Sequence, residues 1–259
     1  MTPSPESLLE LFTRDLGFRW RADDDSYVGA GTIRPEVCIP GTTVVSAAFL
    51  ATCADILGGV LCTQGMFPHV AVTVDLRVTV VNAPPVGAFS GRSRMVRRGR
   101  TISVAEVEFR DANDRLFAIS HASFQPSIET LDAPFVDLHT DDIREAETDL
   151  RALIGCRQPA AHTAEVDCVP ATRNPSGVLQ GGIHAFLAEA AATGLGEVVQ
   201  DLQVRYLRPI VEGPGRAQVA GSATGRTQEV HSVDIVDAHT SRLAAVATVS
   251  TVASAALYQ

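Results

Sequence analysis

The sequence predicts an α+β fold used twice in one chain, each copy a buried central helix wrapped by an antiparallel sheet. Three observations carry this reading. Residue matches recur at one fixed offset, one long apolar run of helical character stands in each half, and period-two strand patterns follow each run.

The repeat comes first, because a missed repeat misassigns the whole fold. Asp75-Leu76 matches Asp201-Leu202, and Gly99-Arg100-Thr101 matches Gly225-Arg226-Thr227. Asp111 matches Asp237 and Ala118 matches Ala244, all at an offset of 126 residues. Several matches at one offset indicate duplication, and a period of that length is the size of a small domain. The expected division is residues 1–126 for the first domain, 127–140 for a linker, and 141–259 for the second. Pro126, Pro134 and an acidic run mark the linker.

Each half then reads in the same order. Leu8, Leu9, Phe12 and Leu16 at helical spacing predict an opening amphipathic helix. Its counterpart spans about Asp142–Ile154, with Leu150, Leu153 and Ile154 on the apolar face. The central helices are expected over Val44–Leu61 and Gly181–Leu195. Both are apolar on nearly every side, so they should be buried rather than lie on a surface.

Strands follow. Val72, Val74, Leu76, Val78 and Val80 alternate with Thr73, Asp75, Arg77 and Thr79, the pattern of a half-buried strand. Leu202, Val204 and Tyr206 repeat it. The alternation changes phase from Ile102 and Val104 to Val107 and Phe109, and again from Val230 to Val233 and Ile235. A shared phase change predicts a β-bulge in both copies. Final strands are expected over Leu116–Phe124 and Leu243–Val252. The two copies should pair as a pseudo-symmetric dimer within the chain.

Composition narrows the function. A net charge of −9 over 259 residues argues against a nucleic-acid partner, which needs basic surface. By the sequence reading no apolar run reaches the roughly 20 residues that span a bilayer, so no membrane partner is expected. The first residues, Met1-Thr2-Pro3-Ser4-Pro5-Glu6, lack the basic-then-apolar pattern of a signal peptide. Cys38, Cys53, Cys62, Cys156 and Cys168 form no CxxC pair, so a reducing compartment, the cytoplasm, is expected. Cys53 and Cys62 stand in apolar surroundings and read as small hydrophobes rather than nucleophiles. His69, His121 and His162 show no ligand spacing, so no metal is expected. His184, five residues before Glu189, could be polar core or site lining.

The chemistry is expected from two acids. Asp55 and Glu189 each stand alone in an apolar helix, beyond reach of a capping role. Burying a carboxylate costs several kcal/mol unless it is paired or protonated. A role as base or nucleophile would account for both. The run Asn174-Pro175-Ser176-Gly177-Val178-Leu179-Gln180-Gly181-Gly182 leads into the second helix. Glycines at a helix start leave backbone N–H groups free to hold an oxyanion.

The Asn-x-x-Gly-x-x-x-Gly-Gly pattern followed by a helix acid resembles the PaaI-like hotdog acyl-CoA thioesterases. The resemblance covers roughly residues 27–125 and 160–252. It implies two fused hotdog domains, with coenzyme A present only as part of the substrate. It implies Asn174, Gly181 and Glu189 as site residues, with Gln180 where relatives carry His and Gly182 beside the bound thioester. Thr193 is similar to a threonine that relatives contribute across the interface, so it would serve the Asp55 site. In the first half, Pro40, Ser46 and Ala47 take the Asn, His and Gly places. Gly99, Arg100, Gly225 and Arg226 would lie near the pantetheine and nucleotide. A homodimer of double hotdogs is a further expectation. Two alternatives stay open: a non-catalytic acyl-CoA binder and an enoyl-CoA hydratase, the latter ranked last for want of an Asp before Asn174-Pro175 and a His after it.

Overall fold

The computed structural model describes residues 12–130, 143–174, 176–194 and 197–253. Its strands are β1 (Arg19–Asp23), β2 (Ser26–Ile33), β3 (His69–Val80), β4 (Gly87–Arg97), β5 (Ser103–Asp111) and β6 (Leu116–Thr130). They continue with β7 (Thr163–Val166), β8 (Glu197–Tyr206), β9 (Gly215–Thr224), β10 (Glu229–Asp237) and β11 (Arg242–Ala253). The helices are α1 (Ala47–Met66), α2 (Leu150–Leu153) and α3 (Gly181–Ala192).

All these strands join one sheet in the order β1-β2-β4-β5-β6-β3-β8-β11-β10-β9-β7. From the centre outward, β3-β6-β5-β4-β2 on one side repeats as β8-β11-β10-β9-β7 on the other. The halves meet where β3 pairs antiparallel with β8, Asp75 opposite Arg205 and Thr79 opposite Asp201. The seam is pseudo-twofold in its charges: Asp75 accepts from Gln203 and Arg205, and Asp201 accepts from Arg77 and Thr79.

Several residues that match at the 126-residue offset turn out to be structural. Asp75 and Asp201 form the seam. Asp111 Oδ1 accepts from the N–H groups of Asn113 and Arg115, and Asp237 Oδ1 from that of His239, closing equivalent hairpins. Gly99 lies against the carbonyl of Ile102 with no room for a β-carbon, and Gly225 N–H donates to Gln228 O at 2.8 Å across the matching turn.

The central helices form as their composition demands. Ser46 caps α1, its Oγ accepting from Phe49 N–H at 3.1 Å. Most of α1 and nearly all of α3 are buried against the sheet and each other. The helices run antiparallel, with Gly182 seated on Thr52. From the acid, α1 continues to Met66, whereas α3 stops at Ala192. The second helix is therefore two turns shorter, which is why the strands match at one offset and the helix starts at a larger one.

Three expectations need correction. The opening helix expected from Leu8 lies largely outside the described residues; within them, Phe12–Asp15 forms a 3-10 turn, and Phe12 packs edge-on against Phe186 of α3. The helix expected over Asp142–Ile154 is only Leu150–Leu153, because residues 144 and 146 instead bond to the backbone of Arg14 and Asp15. Length and composition alone would let α1 cross a membrane, contrary to the sequence estimate; in the fold the sheet and α3 bury most of it. Finally, β5 and β10 keep strict alternation, with Ser103, Ala105 and His231 facing inward, so Ile102, Val104 and Val230 are simply apolar residues on the outer face.

The pairing is nevertheless irregular near these places in both copies, with the extra residue on the neighbouring strand: Val96 of β4 beside Val104 and Ala105, and Ala220 of β9 beside Ser232 and Val233. Other irregularities also match between the copies. One extra residue, Val74, interrupts β3 opposite β6, and Gln200 interrupts β8 opposite β11. Another matched pair falls after Phe109 in β5 and after Ile235 in β10. The bulge at Val74 has a functional consequence. An extra residue reverses which face a side chain takes. Beyond Val74 the even-numbered Leu76, Val78 and Val80 face inward; before it, Thr73 pairs with the buried Phe124 and turns inward too.

Candidate active site

The antiparallel helices place each acid at the start of the opposite helix. Asp55, nine residues into α1, faces the first turn of α3: its Oδ2 would lie 3.1 Å from a β-carbon on Gly181. Glu189, nine residues into α3, faces the first turn of α1. The two environments differ in every neighbour.

Around Asp55, the bulge at Val74 aims Thr73 inward, and Thr73 Oγ donates to Asp55 Oδ1 at 2.6 Å. Tyr206 of β8 donates its hydroxyl to Gly181 O at 2.9 Å. His184 stacks edge-on to Tyr206, ring centres 5.4 Å apart, and its Nδ1 donates to Gln180 O at 3.2 Å. Among the described residues no cation pairs with Asp55 and no N–H of α3 donates to it. Burial pushes the Asp55 carboxyl up to about 6, against the opposing pull of the Thr73 hydrogen bond. It remains half-buried, so one oxygen is open to a ligand or water. Burial also drives His184 down to about 4 and Tyr206 well above its ordinary value, so both are neutral near pH 7.

Glu189 is sealed. Its Oε2 accepts from Ser46 Oγ at 2.7 Å and from Arg151 Nη2 at 3.3 Å, and its Oε1 accepts from Ala48 N–H at 3.3 Å. The side chain has no exposed surface. Being one methylene longer than Asp55, it reaches the helix start that Asp55 leaves free. The carboxylate thereby fills its own candidate oxyanion position, and the guanidinium of Arg151 neutralises it.

Several predicted groupings change as a result. Gln180 and Gly181 come together with Asp55, not with Glu189, because the helices cross antiparallel. Thr193 does not serve Asp55: its Oγ donates to Glu189 O at 2.8 Å and accepts from Arg151 at 3.3 Å. Asn174 spends its amide oxygen closing its own loop, accepting from the N–H groups of Ser176 and Val178. Gly182 faces Thr52 across the helix crossing, a packing position. Gly99-Arg100 and Gly225-Arg226 occupy the tips of the β4–β5 and β9–β10 hairpins, with both arginines exposed. Cys53 and Cys62 lie buried in α1, where burial pushes the Cys53 thiol far up and the Cys62 thiol to about 12, so neither is a nucleophile near neutrality.

Thr73, Tyr206 and Arg151 were not singled out in the sequence. Thr73 was hidden by the bulge, which placed it on the apparent outer face. Tyr206 read as one more strand hydrophobe. Arg151 stood on a helix predicted only for its apolar residues.

Solved structures resolve the architecture. A protein from Alicyclobacillus acidocaldarius, described as having a hot dog fold, aligns with a TM-score of 0.58 at 10% identity, covering 93% of this chain and 97% of its own. The chain has the hotdog fold. Two further alignments span most of the chain. One is to a Lactobacillus plantarum protein given a provisional oleoyl thioesterase assignment (TM-score 0.64, 11% identity, 88% of this chain and 95% of that one). The other is to the tesB protein of Mycobacterium avium subspecies paratuberculosis (TM-score 0.60, 13% identity, 96% and 98%). Residues 43–118, which hold α1 and Asp55, match the model of the thioesterase superfamily. No curated protein matches in sequence.

Proposed function

We propose that the chain is a tandem hotdog thioesterase that hydrolyses acyl-CoA at one site, where Asp55 faces the first turn of α3. The observation that carries this reading is the asymmetry of the two acids: Asp55 is raised, half-buried and free of cations, whereas Glu189 is sealed against Arg151. The match of residues 43–118 to the thioesterase superfamily covers the helix bearing that acid.

The chemistry follows from the groups present. With Thr73 holding Oδ1, Asp55 Oδ2 accepts a proton from water as the water oxygen attacks the thioester carbon. The carbonyl oxygen takes up negative charge against the free N–H groups at the start of α3, where the helix dipole also favours it. As the carbonyl re-forms, the C–S bond breaks, and the proton on Asp55 passes to the departing thiolate. Gly181 keeps the oxyanion role assigned from the motif, but the acid that works with it comes from the other half.

The coenzyme A phosphates would meet Arg97, Arg98 and Arg100 at the β4–β5 hairpin, exposed and without carboxylate partners among the described residues. The Arg98 guanidinium lies against Gly65, ten residues beyond Asp55 or about 15 Å along α1. That separation suits a substrate whose thioester and charged end are far apart. A cytoplasmic location is part of the same reading.

The test is thiol release from a panel of aliphatic and aryl acyl-CoA esters by wild type, Asp55→Asn and Glu189→Gln. The proposal expects loss in Asp55→Asn and retention in Glu189→Gln. Absence of release from every ester by the wild type would leave a binding protein instead.

A further inference from the structure

Resting on the thioesterase reading, we propose that Tyr206 and His184 form an aromatic clamp that orients the two peptides of the oxyanion hole. They are positioning residues: neither need touch substrate. The argument begins with which peptides they hold. Gln180 C=O and Gly181 N–H belong to one peptide unit, and His184 Nδ1–H donates to that carbonyl at 3.2 Å. Gly181 C=O and Gly182 N–H belong to the next, and the Tyr206 hydroxyl donates to that carbonyl at 2.9 Å. In a trans peptide the N–H points opposite to the C=O. Fixing both carbonyls therefore fixes the direction of both N–H groups at the start of α3, beside Asp55 Oδ2.

A clamp is needed because glycine is at its most permissive here. Gly181 and Gly182 have no side chains to restrict the first turn, and Gln180 makes no side-chain cap hydrogen bond. In the other half the helix start is held by Ser46 as cap and by the Glu189 carboxylate on Ala48 N–H. A site that leaves its N–H groups free for substrate must be held from the carbonyl side instead. Each donated hydrogen bond also polarises its peptide and strengthens the opposite N–H as a donor.

The duplication supplies an internal control. The residue 126 positions before Tyr206 is Val80, and the residue four beyond the α1 cap, matching His184, is Leu50. Both aromatics are thus absent beside the start of α1, where the sealed Glu189 sits. The two rings also brace each other, edge to face at 5.4 Å. The neutral state of His184 fixes its tautomer, since Nδ1 must carry the hydrogen to donate to a carbonyl.

The experiment combines kinetics with a spectroscopic readout. Tyr206→Phe keeps the ring and deletes the donor; His184→Phe keeps the ring contact and deletes the other. Thermal melts establish that each variant folds. With an acyl-CoA ester that the wild type hydrolyses, each variant should lose about tenfold or more in kcat with KM little changed, since a transition-state contact is weakened rather than a ground-state one. In the Asp55→Asn background, the infrared C=O band of bound acyl-CoA should sit at lower frequency than in water, and adding Tyr206→Phe should move it back toward the solution value. An unchanged kcat in both folded variants, or a carbonyl band indifferent to Tyr206→Phe, overturns the clamp while leaving Asp55 in place. No thiol release by the wild type, or full activity in Asp55→Asn, overturns the thioesterase reading and the clamp with it. If Tyr206→Phe does not fold, His184→Phe and the band shift it causes decide the matter.

Discussion

Thr52 of α1 lies directly on Gly182 of α3, with no space for a β-carbon between them. This contact sets how closely the two helices approach, and so sets the reach from Asp55 to the start of α3. Gly182→Ala should push the helices apart. Expected is a loss of about 2–3 kcal/mol in stability, typical of overpacking, with a larger proportional loss of activity. Denaturant unfolding and thiol release together check it.

Asp55→Asn should abolish hydrolysis and yet stabilise the fold. The carboxyl has a higher pKa folded than unfolded, so the folded state binds its proton more tightly. Between about pH 4 and 6 stability therefore falls as pH rises, and above about 6 the full penalty is present. Allowing for its partial exposure, removing the charge should add about 2 kcal/mol at pH 8 and almost nothing at pH 3.5. Melting temperatures of the two proteins at both pH values test the sign.

The activity itself should show an acid limb. A base must be ionised to accept a proton, so kcat/KM should fall as pH drops through about 6. His184 is neutral throughout that range and should add no second transition there. A limb near pH 4 would count against Asp55 as the base.

Glu189 should matter for stability rather than chemistry. Glu189→Ala leaves the mostly buried Arg151 without its counter-charge and should cost about 3–5 kcal/mol. Glu189→Gln should cost less and keep kcat within a few-fold. A double-mutant cycle with Arg151→Met isolates the coupling between the pair.

If the β4–β5 hairpin receives the phosphates, Arg98→Ala and Arg100→Ala should raise KM for acyl-CoA several-fold. They should leave kinetics on an acyl-pantetheine ester, which lacks the nucleotide, unchanged. Increasing salt should mimic the substitutions on the full substrate.

Much of this was legible in the chain before folding. The matches at Asp75 and Asp201, the apolar runs around Asp55 and Glu189, and the alternation from Val72 to Val80 depend on local periodicity and on repetition, which sequence carries directly. The helix expected over Asp142–Ile154 is shorter than its apolar spacing suggests, because residues 144 and 146 bond to Arg14 and Asp15, a contact between segments remote in the chain.

The sequence by itself determined the matches at a 126-residue offset, the apolar central helices and the two acids that stand alone within them. The tertiary structure alone decided which acid meets which helix start, because antiparallel crossing exchanges partners between the halves. It also decided that Thr73 faces inward, through one extra residue at Val74, and that Arg151 closes upon Glu189. Pairings of this kind depend on distances between residues remote in the chain, and such distances exist only once the two halves have closed along β3 and β8.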